Sequence, residues 1–276
     1  MTERTEHTVT SLMSRITPRD LSVLSGVYEH QTLDTHQIAR VCFADTHPRR
    51  ARRRLLVLHR YGVLDRFRRY TARGKLPDYW VLTPLGAELV SYHQGTDTAA
   101  RAVFPDQAVR LMYSPQIHHV QGLAECFVRF SEAARSGPGE LARWFGEAEC
   151  ARRWGQYIRP DAYLRWRQDG LNLRAFLEYD TGSESLATVC RKMRGYQALF
   201  HYTERPSLVL FVVHSGQRES HLVEKLVDVV SEEATAYVTT HARVASPGPD
   251  QRVWRAPGAA DRVRLVDLMP SLGEAE

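Results

Sequence analysis

Hydrophobic spacing along this chain alternates between helical and extended periods. From Pro18 to about residue 30, Leu21, Leu24, Val27 and Tyr28 recur at helical intervals, and Pro18 sits where a helix would start. A second short helix is expected after Leu33, capped by Asp34 or Thr35, with Ile38, Ala39 and Cys42 facing inward. A third opens at Thr46 with Pro48 in its first turn; Leu55, Leu56 and Leu58 anchor its rear, and Gly62 ends it. The period then shortens. Residues 63–70 alternate apolar and basic side chains, and residues 79–82 can pair with them as a second strand across the turn-forming segment TARGKLPD. Thr83-Pro84 caps another helix over about 85–92.

Periodicity lapses over 93–116, where Gly95, Pro105 and Pro115 fall, with a short helix expected around 107–112. This segment reads as a linker. Beyond it, 118–134 is expected to be helical and to end at the SGPG run, followed by strands at 141–145, 161–167 and 172–180. Helical spacing returns over 186–200, LVLFVV at 208–213 is a buried central strand, and 222–236 reads as an amphipathic helix. The tail is loop-like over 246–258, with a last edge strand expected at 262–269. This order predicts a mixed sheet with helices on its faces. The expected organisation is a poorly ordered leader at 1–16, a first domain at 17–93, a linker at 94–116 and a second domain at 117–276.

Charge sharpens the reading of the first domain. From Arg49 to Lys75 there are eleven Lys or Arg against one acid, Asp65, a local charge of +10; the whole chain carries +5, so the remainder sums to −5. A focused basic patch on a mildly acidic body suits a phosphate-backbone partner. Three short helices, the third basic, then a basic hairpin and a closing helix resemble the winged helix-turn-helix superfamily. That resemblance implies double-stranded DNA as partner. Arg49, Arg50, Arg52, Arg53 and Arg54 cover most of the third helix; Arg49, Arg50 and Arg53 are expected to include the base or phosphate readers. Arg68, Arg69, Arg73 and Lys75 would follow the flanking backbone from the wing. A charge run alone would fit a solvated basic face, or a patch for an acidic protein, equally well.

Composition excludes several classes. With 43% hydrophobic and 25% charged residues the chain is that of a globular protein. No apolar run approaches the ~20 residues that span a bilayer, and the polar N-terminus lacks the apolar segment of a secretory signal. Cys42, Cys126, Cys150 and Cys190 lie far apart without a CxxC pair, so neither zinc-finger spacing nor a disulfide framework is expected. A cytoplasmic location is expected, with no membrane partner.

The candidate chemistry lies in RPDAYLRWRQDGLNLRAFLEYDTG. If Asp169-Gly170 is a two-residue hairpin turn, Asp161 falls opposite Glu178, with Cβ atoms ~5 Å apart. Two carboxylates so close repel unless protonated or bridged by a cation, and oxygen ligands suit Mg²⁺ or Mn²⁺. Asp180, two residues beyond Glu178 on the same strand face, could join them as a metal ligand. The opposite face, with Ala162, Leu164, Trp166, Leu173, Ala175 and Leu177, is expected to be core. The same register sets Arg165 opposite Arg174, unfavourable unless a phosphate lies between them. His118, His119 and His201 are read as packing or surface residues.

"RPDAYL … FLEYDTG … KMRGY" resembles the plasmid replication-relaxation family, in which a winged helix-turn-helix precedes a PD-(D/E)XK nuclease-like domain. The resemblance runs from about Thr17 to Leu268. It implies an α+β chain whose second domain is an α/β restriction-endonuclease-like fold with a mixed central sheet. The nuclease pattern carries metal-binding roles to Asp161 and Glu178, and Glu125 matches a position from which such folds supply another acid. The pattern's lysine, two residues after the glutamate, is replaced here by Asp180; Lys192, on the following helix, could take its role. The resemblance implies a DNA-binding protein of plasmid or integrative-element replication, mobilisation or its regulation. Its rivals are a Mg²⁺-dependent endonuclease targeted by the winged helix, and a transcriptional regulator whose inactive second domain serves as a dimerisation module in a homodimer.

Overall fold

The computed structural model describes residues 11–71, 74–95 and 103–268. They form two compact units, one ending at Ala124 and the other beginning at Glu125. Among the described residues no helix is long and apolar enough to cross a membrane.

The first unit begins with α1 (Pro18–His30), α2 (Thr35–Cys42) and α3 (Pro48–Arg60). Thr17 and Asp20 cap α1 reciprocally, each side chain accepting from the other's backbone N–H, and Asp34 with Gln37 does the same for α2. The His47 ring nitrogen accepts from Arg49 N at the start of α3, and Gly62, at φ +74°, closes that helix in a left-handed turn. The short β1 (Leu33–Asp34) joins β2 (Leu64–Thr71) and β3 (Gly74–Leu82) in an antiparallel sheet of order β1-β3-β2. Leu64 pairs with Leu82 and Thr71 with Gly74, with an irregularity between Arg68 and Tyr70. β3 is therefore longer than the 79–82 expected. Helix α4 (Pro84–Gln94) follows, capped by Thr83. A Cβ on Gly86 would lie 2.1 Å from the Val63 carbonyl oxygen, so only glycine lets α4 approach the start of β2 this closely.

Leu24, Leu33, Ile38, Leu55, Leu58 and Trp80 form the centre of this unit's core, each fully buried. Burying one such side chain contributes about 1.5–3 kcal/mol, which is why these helices hold their places despite their shortness. Residues 1–10 of the expected leader lie outside the described residues, but Leu12, Met13 and Ile16 pack against this core rather than trailing from it. The stretch read as a linker contains the short helix expected there, α5 (Gln107–Met112), and its Ala108 and Leu111 are buried in a cluster with Phe67, Tyr79 and Val81. Apolar anchoring, not periodicity, ties that segment down.

The second unit takes in most of α6 (Ile117–Ser136), which runs through the division. Its seven strands are β4 (Glu140–Gly146), β5 (Ala162–Gln168), β6 (Leu171–Asp180), β7 (Ser207–Val213), β8 (Ala234–Thr240), β9 (Trp254–Arg255) and β10 (Arg262–Val263). They form one mixed sheet in the order β10-β9-β8-β7-β6-β5-β4. β4 to β6 are antiparallel, whereas β6, β7 and β8 are parallel and so need helical crossovers, α8 (Leu186–Thr203) and α9 (Gly216–Leu226). The fold is thus α+β. Residues 209–213 of β7 are fully buried, as a central strand covered on both faces requires. Met193, Tyr196, Leu222 and Leu226 pack with Phe176, Val209 and Phe211 on one face; Phe130 of α6 meets the Trp166 ring on the other, their centroids 6.2 Å apart.

Three elements differ from expectation. The helix expected over 222–236 lies at Gly216–Leu226 and is followed by β8. Val229 and Val230 continue the apolar spacing of Leu222, Val223 and Leu226, but they pack on the core from the connection after the helix. Helix α7 (Glu147–Trp154) stands between β4 and β5, where a direct strand connection was expected. The expected edge strand at 262–269 is limited to Arg262–Val263, then becomes a 3₁₀ turn at Leu265–Leu268; residue 269 lies outside the described residues. The last helix in the sheet region, α10 (His241–Ala245), caps the end of β8.

Candidate functional site

The β5–β6 hairpin sets the site. Asp169 (φ +52°) and Gly170 (φ +78°) form the turn, both with the positive φ of a two-residue hairpin whose twist matches its strands. Ala162 then pairs with Leu177 and Trp166 with Leu173, the register expected from the turn. Ala162, Leu164, Trp166, Leu173, Ala175 and Leu177 are at most 1% exposed, so the predicted core face is buried. Asp161 lies level with Glu178 at the end of this ladder, and its Oδ2 accepts a hydrogen bond from Tyr179 N at 2.7 Å.

Glu178 is 2% exposed and Asp161 9%. Lys192 Nζ donates to Glu178 Oε2 at 2.6 Å, and Tyr196 OH donates to Glu178 Oε1 at 2.5 Å. Both donors come from α8, one turn apart, because residues i and i+4 share a helix face. Burial, and next the Asp161 charge, push the Glu178 carboxyl up to about 7, while Lys192 and Tyr196 pull the other way. Burial opposes the Lys192 charge, but Glu178 and Asp161 outweigh it and hold the ammonium above its ordinary range. Burial, with the Glu178 charge, raises the Tyr196 phenol. The result is a buried carboxylate gripped by one cation and one phenol, with Lys192, 29% exposed at its side chain, its contact with solvent.

Two expected members stand apart. Asp180 is bidentate to Arg218, with Nε at 2.6 Å and Nη2 at 3.1 Å, and also accepts from Gly182 N. Arg218 is fixed in turn by the Glu184 carbonyl at 2.6 Å. Glu125 pairs with Arg129 one turn along α6 at 2.8 Å. Asp161, Glu178 and Asp180 thus each have their own protein partners. Both Glu178 oxygens are occupied by protein donors, Asp180 belongs to Arg218, and among the described residues no group of three or more His, Cys, Asp or Glu side chains could hold a metal ion. The donor set does not fit Mg²⁺ or Mn²⁺ as arranged. Tyr196 and Arg218 escaped the sequence reading; the i+4 spacing of Tyr196 from Lys192 was the legible signal for the first.

In the first unit, Arg49, Arg50, Arg52 and Arg53 are exposed on α3, and none of them has an acidic partner among the described residues. Arg54, expected among the DNA-binding residues, instead turns to α1. Its Nε lies 2.7 Å and its Nη2 2.5 Å from the Asp20 carboxylate, which is fully buried. Arg68 is likewise held by Asp78 at 2.7 Å, shared with Arg66 at 3.0 Å. Arg69, at the strand irregularity, has Nη1 buried without a hydrogen-bond partner. Arg73 and the side chain of Lys75 lie outside the described residues.

No curated protein matches the chain. A family model described as replication-relaxation matches residues 24–212, a span that includes α3, the β2–β3 hairpin, Asp161, Glu178, Lys192 and Tyr196 and ends within β7, before Arg218. That span exceeds half of the sequence and joins elements of both units, and on it the chain belongs to the replication-relaxation family.

Proposed function

We propose that this is a double-stranded DNA-binding protein serving the replication or mobilisation of a plasmid or integrative element. In this reading the first unit is a winged helix-turn-helix and the second a PD-(D/E)XK nuclease-like fold. The observation that carries the proposal is the row of exposed arginines, Arg49, Arg50, Arg52 and Arg53, in the first two turns of α3. Family membership supports the biological setting. The order α1-α2-α3, β2–β3 hairpin, α4 supports the motif: its third helix enters the major groove and its hairpin lies along the flanking backbone. Arginine suits this task because its planar fork can hold a phosphate or the O6 and N7 edge of guanine with two hydrogen bonds. Arg54 and Arg68 act one step back, bracing α3 and the hairpin through Asp20 and Asp78.

Binding of duplex DNA by the full chain tests this. Neutralising four phosphates gives a slope of log K on log salt of about −3.6, and Arg49→Ala with Arg53→Ala should flatten it by about 2. Binding without salt dependence, or unchanged by that pair, overturns the proposal.

A second reading, a DNA endonuclease, is favoured by Lys192 standing on Glu178 with Asp161 level with it. It requires Lys192 to leave the carboxylate, because a cation could not otherwise reach Glu178. Supercoiled plasmid incubated with Mg²⁺ or Mn²⁺ decides: nicking by wild type and none by Asp161→Ala supports the enzyme, and equal or absent nicking removes it.

A further inference from the structure

Arg143, Arg165 and Arg174 stand level on three consecutive strands. Arg143 pairs in register with Arg165 on β5, and Arg165 pairs with Arg174 on β6. Neighbouring strands lie about 4.8 Å apart, so three guanidinium-bearing positions fit within about 10 Å. Like charges directly opposite one another destabilise a sheet. None of the three has a salt bridge to a carboxylate among the described residues, whereas Arg167, one step along the same face, faces Glu140 at 3.8 Å. Their recorded contacts are weak: Arg165 Nε lies 3.4 Å from Asn172 Oδ1, and Arg143 lies over the Phe145 ring at 5.8 Å. Arg143 and Arg174 are exposed and Arg165 is half-buried. The adjoining Tyr163 reports the same concentration of charge: burial raises its phenol, and Arg174, Arg165 and Arg205 all pull it back.

Folding gains nothing from such a row. A polyanion lying across it would turn the repulsion into binding, each guanidinium taking a phosphate through a planar fork. The geometry points to a second DNA contact in the second unit, in which Arg143, Arg165 and Arg174 bind the phosphodiester backbone. The row is on the same sheet face as Glu178, since residues 174, 176 and 178 alternate along β6 without interruption. Arg174 and Glu178 are four residues apart, about 13 Å along the strand. Three level cations with Arg205 nearby suit an extended anion. This inference rests on the DNA-binding reading for the identity of its ligand.

The full chain and its Arg165→Gln/Arg174→Gln variant, titrated with duplex DNA of random sequence over a range of salt, test it. The expected result is a slope of log K on log salt shallower by about 2, at roughly 0.9 per phosphate contact. Because the substitutions remove a like-charge pair, the variant should melt at the same temperature as wild type or higher. If it melts lower, Arg174→Gln alone decides, with an expected change of about 1. An unchanged slope overturns the row as a DNA contact. If Arg49→Ala/Arg53→Ala still flattens the slope in that case, the α3 reading stands; no DNA binding by wild type removes both. Inorganic phosphate that raises the melting temperature of wild type over the variant, with no change in DNA slope, also overturns the proposal, by making the row a free-anion site.

Discussion

Asp20 and Glu178 are both carboxylates sealed from solvent, 0% and 2% exposed, and each faces a cation. Burial alone would raise both. For Asp20 it is outweighed by Arg54 and by Thr17, whose backbone N–H and hydroxyl both donate at 2.7 Å, so the carboxyl is held below its ordinary 3.8. For Glu178 burial wins, reinforced by Asp161 level with it, and the two donors on α8 cannot reverse it. The contrast shows that a buried acid–base pair is not in itself a functional signal. What separates a helix cap from a poised group is whether the remaining neighbours stabilise or oppose the charge. In the first unit they stabilise it, and the pair serves to hold α3 against α1; in the second they oppose it, and the pair stays close to a change of protonation.

The largest test of that contrast is Asp20→Ala. It removes the acid half of the α1 capping box and leaves Arg54 without its carboxylate partner, and breaking a buried pair in this way costs about 3–5 kcal/mol. Urea unfolding of the full chain reads it, and a loss below about 1 kcal/mol would deny Asp20 its bracing role. The next test uses pH, because the two shifts have opposite signs. Asp20, lowered in the fold, contributes stability above about pH 4 that is lost as pH falls. Glu178, raised from 4.5 to about 7, binds its proton more tightly in the fold, so its contribution is greatest below about pH 4.5 and declines as pH climbs through 7. Wild type should therefore lose stability relative to Glu178→Gln as pH rises through about 7, read by urea unfolding at each pH. A difference that stays flat with pH would show that Glu178 is an ordinary carboxylate, and the two regions would cease to differ.

How much of this was legible in the sequence follows from what each residue depends on. The β5–β6 register could be read because a two-residue turn and a period of two leave one pairing, and that pairing set Asp161 level with Glu178 and Arg165 opposite Arg174. Caps at Asp34 and Thr83 were readable because they act within one helical turn. Strand β8, ATAYVTT, was not, since its alternation is weak and the helical spacing of Leu222 to Val230 ran on toward it. The partners of side chains were the least accessible. Nothing local tells Arg54 from Arg53, although the 100° between them turns one to Asp20 and the other to solvent. Asp180 shares a strand face with Glu178, as expected, yet it meets Arg218 38 residues away across a crossover whose position had been misread.

The smallest expected effect is also the most specific. Tyr196→Phe removes one hydroxyl, leaves the ring packed against Phe176, and deprives Glu178 Oε1 of its donor. The stability cost is about 1 kcal/mol, the net value of one hydrogen bond. Because the tyrosine donor favours the ionised carboxylate, its loss should move the Glu178 midpoint further up, and Asp161→Asn, which removes the opposing charge, should move it down. Carbon-detected NMR titration of the glutamate carboxyls reads both. The corresponding deletion in the first unit, Thr17→Val, should raise the Asp20 midpoint yet leave it well below 7, since Arg54 remains in place. If Tyr196→Phe left the Glu178 midpoint unmoved, the grip of α8 on that carboxylate would reduce to Lys192 alone. The second unit would then hold its acid by one cation, without the hydroxyl and backbone donors that Thr17 gives Asp20, and against the charge of Asp161.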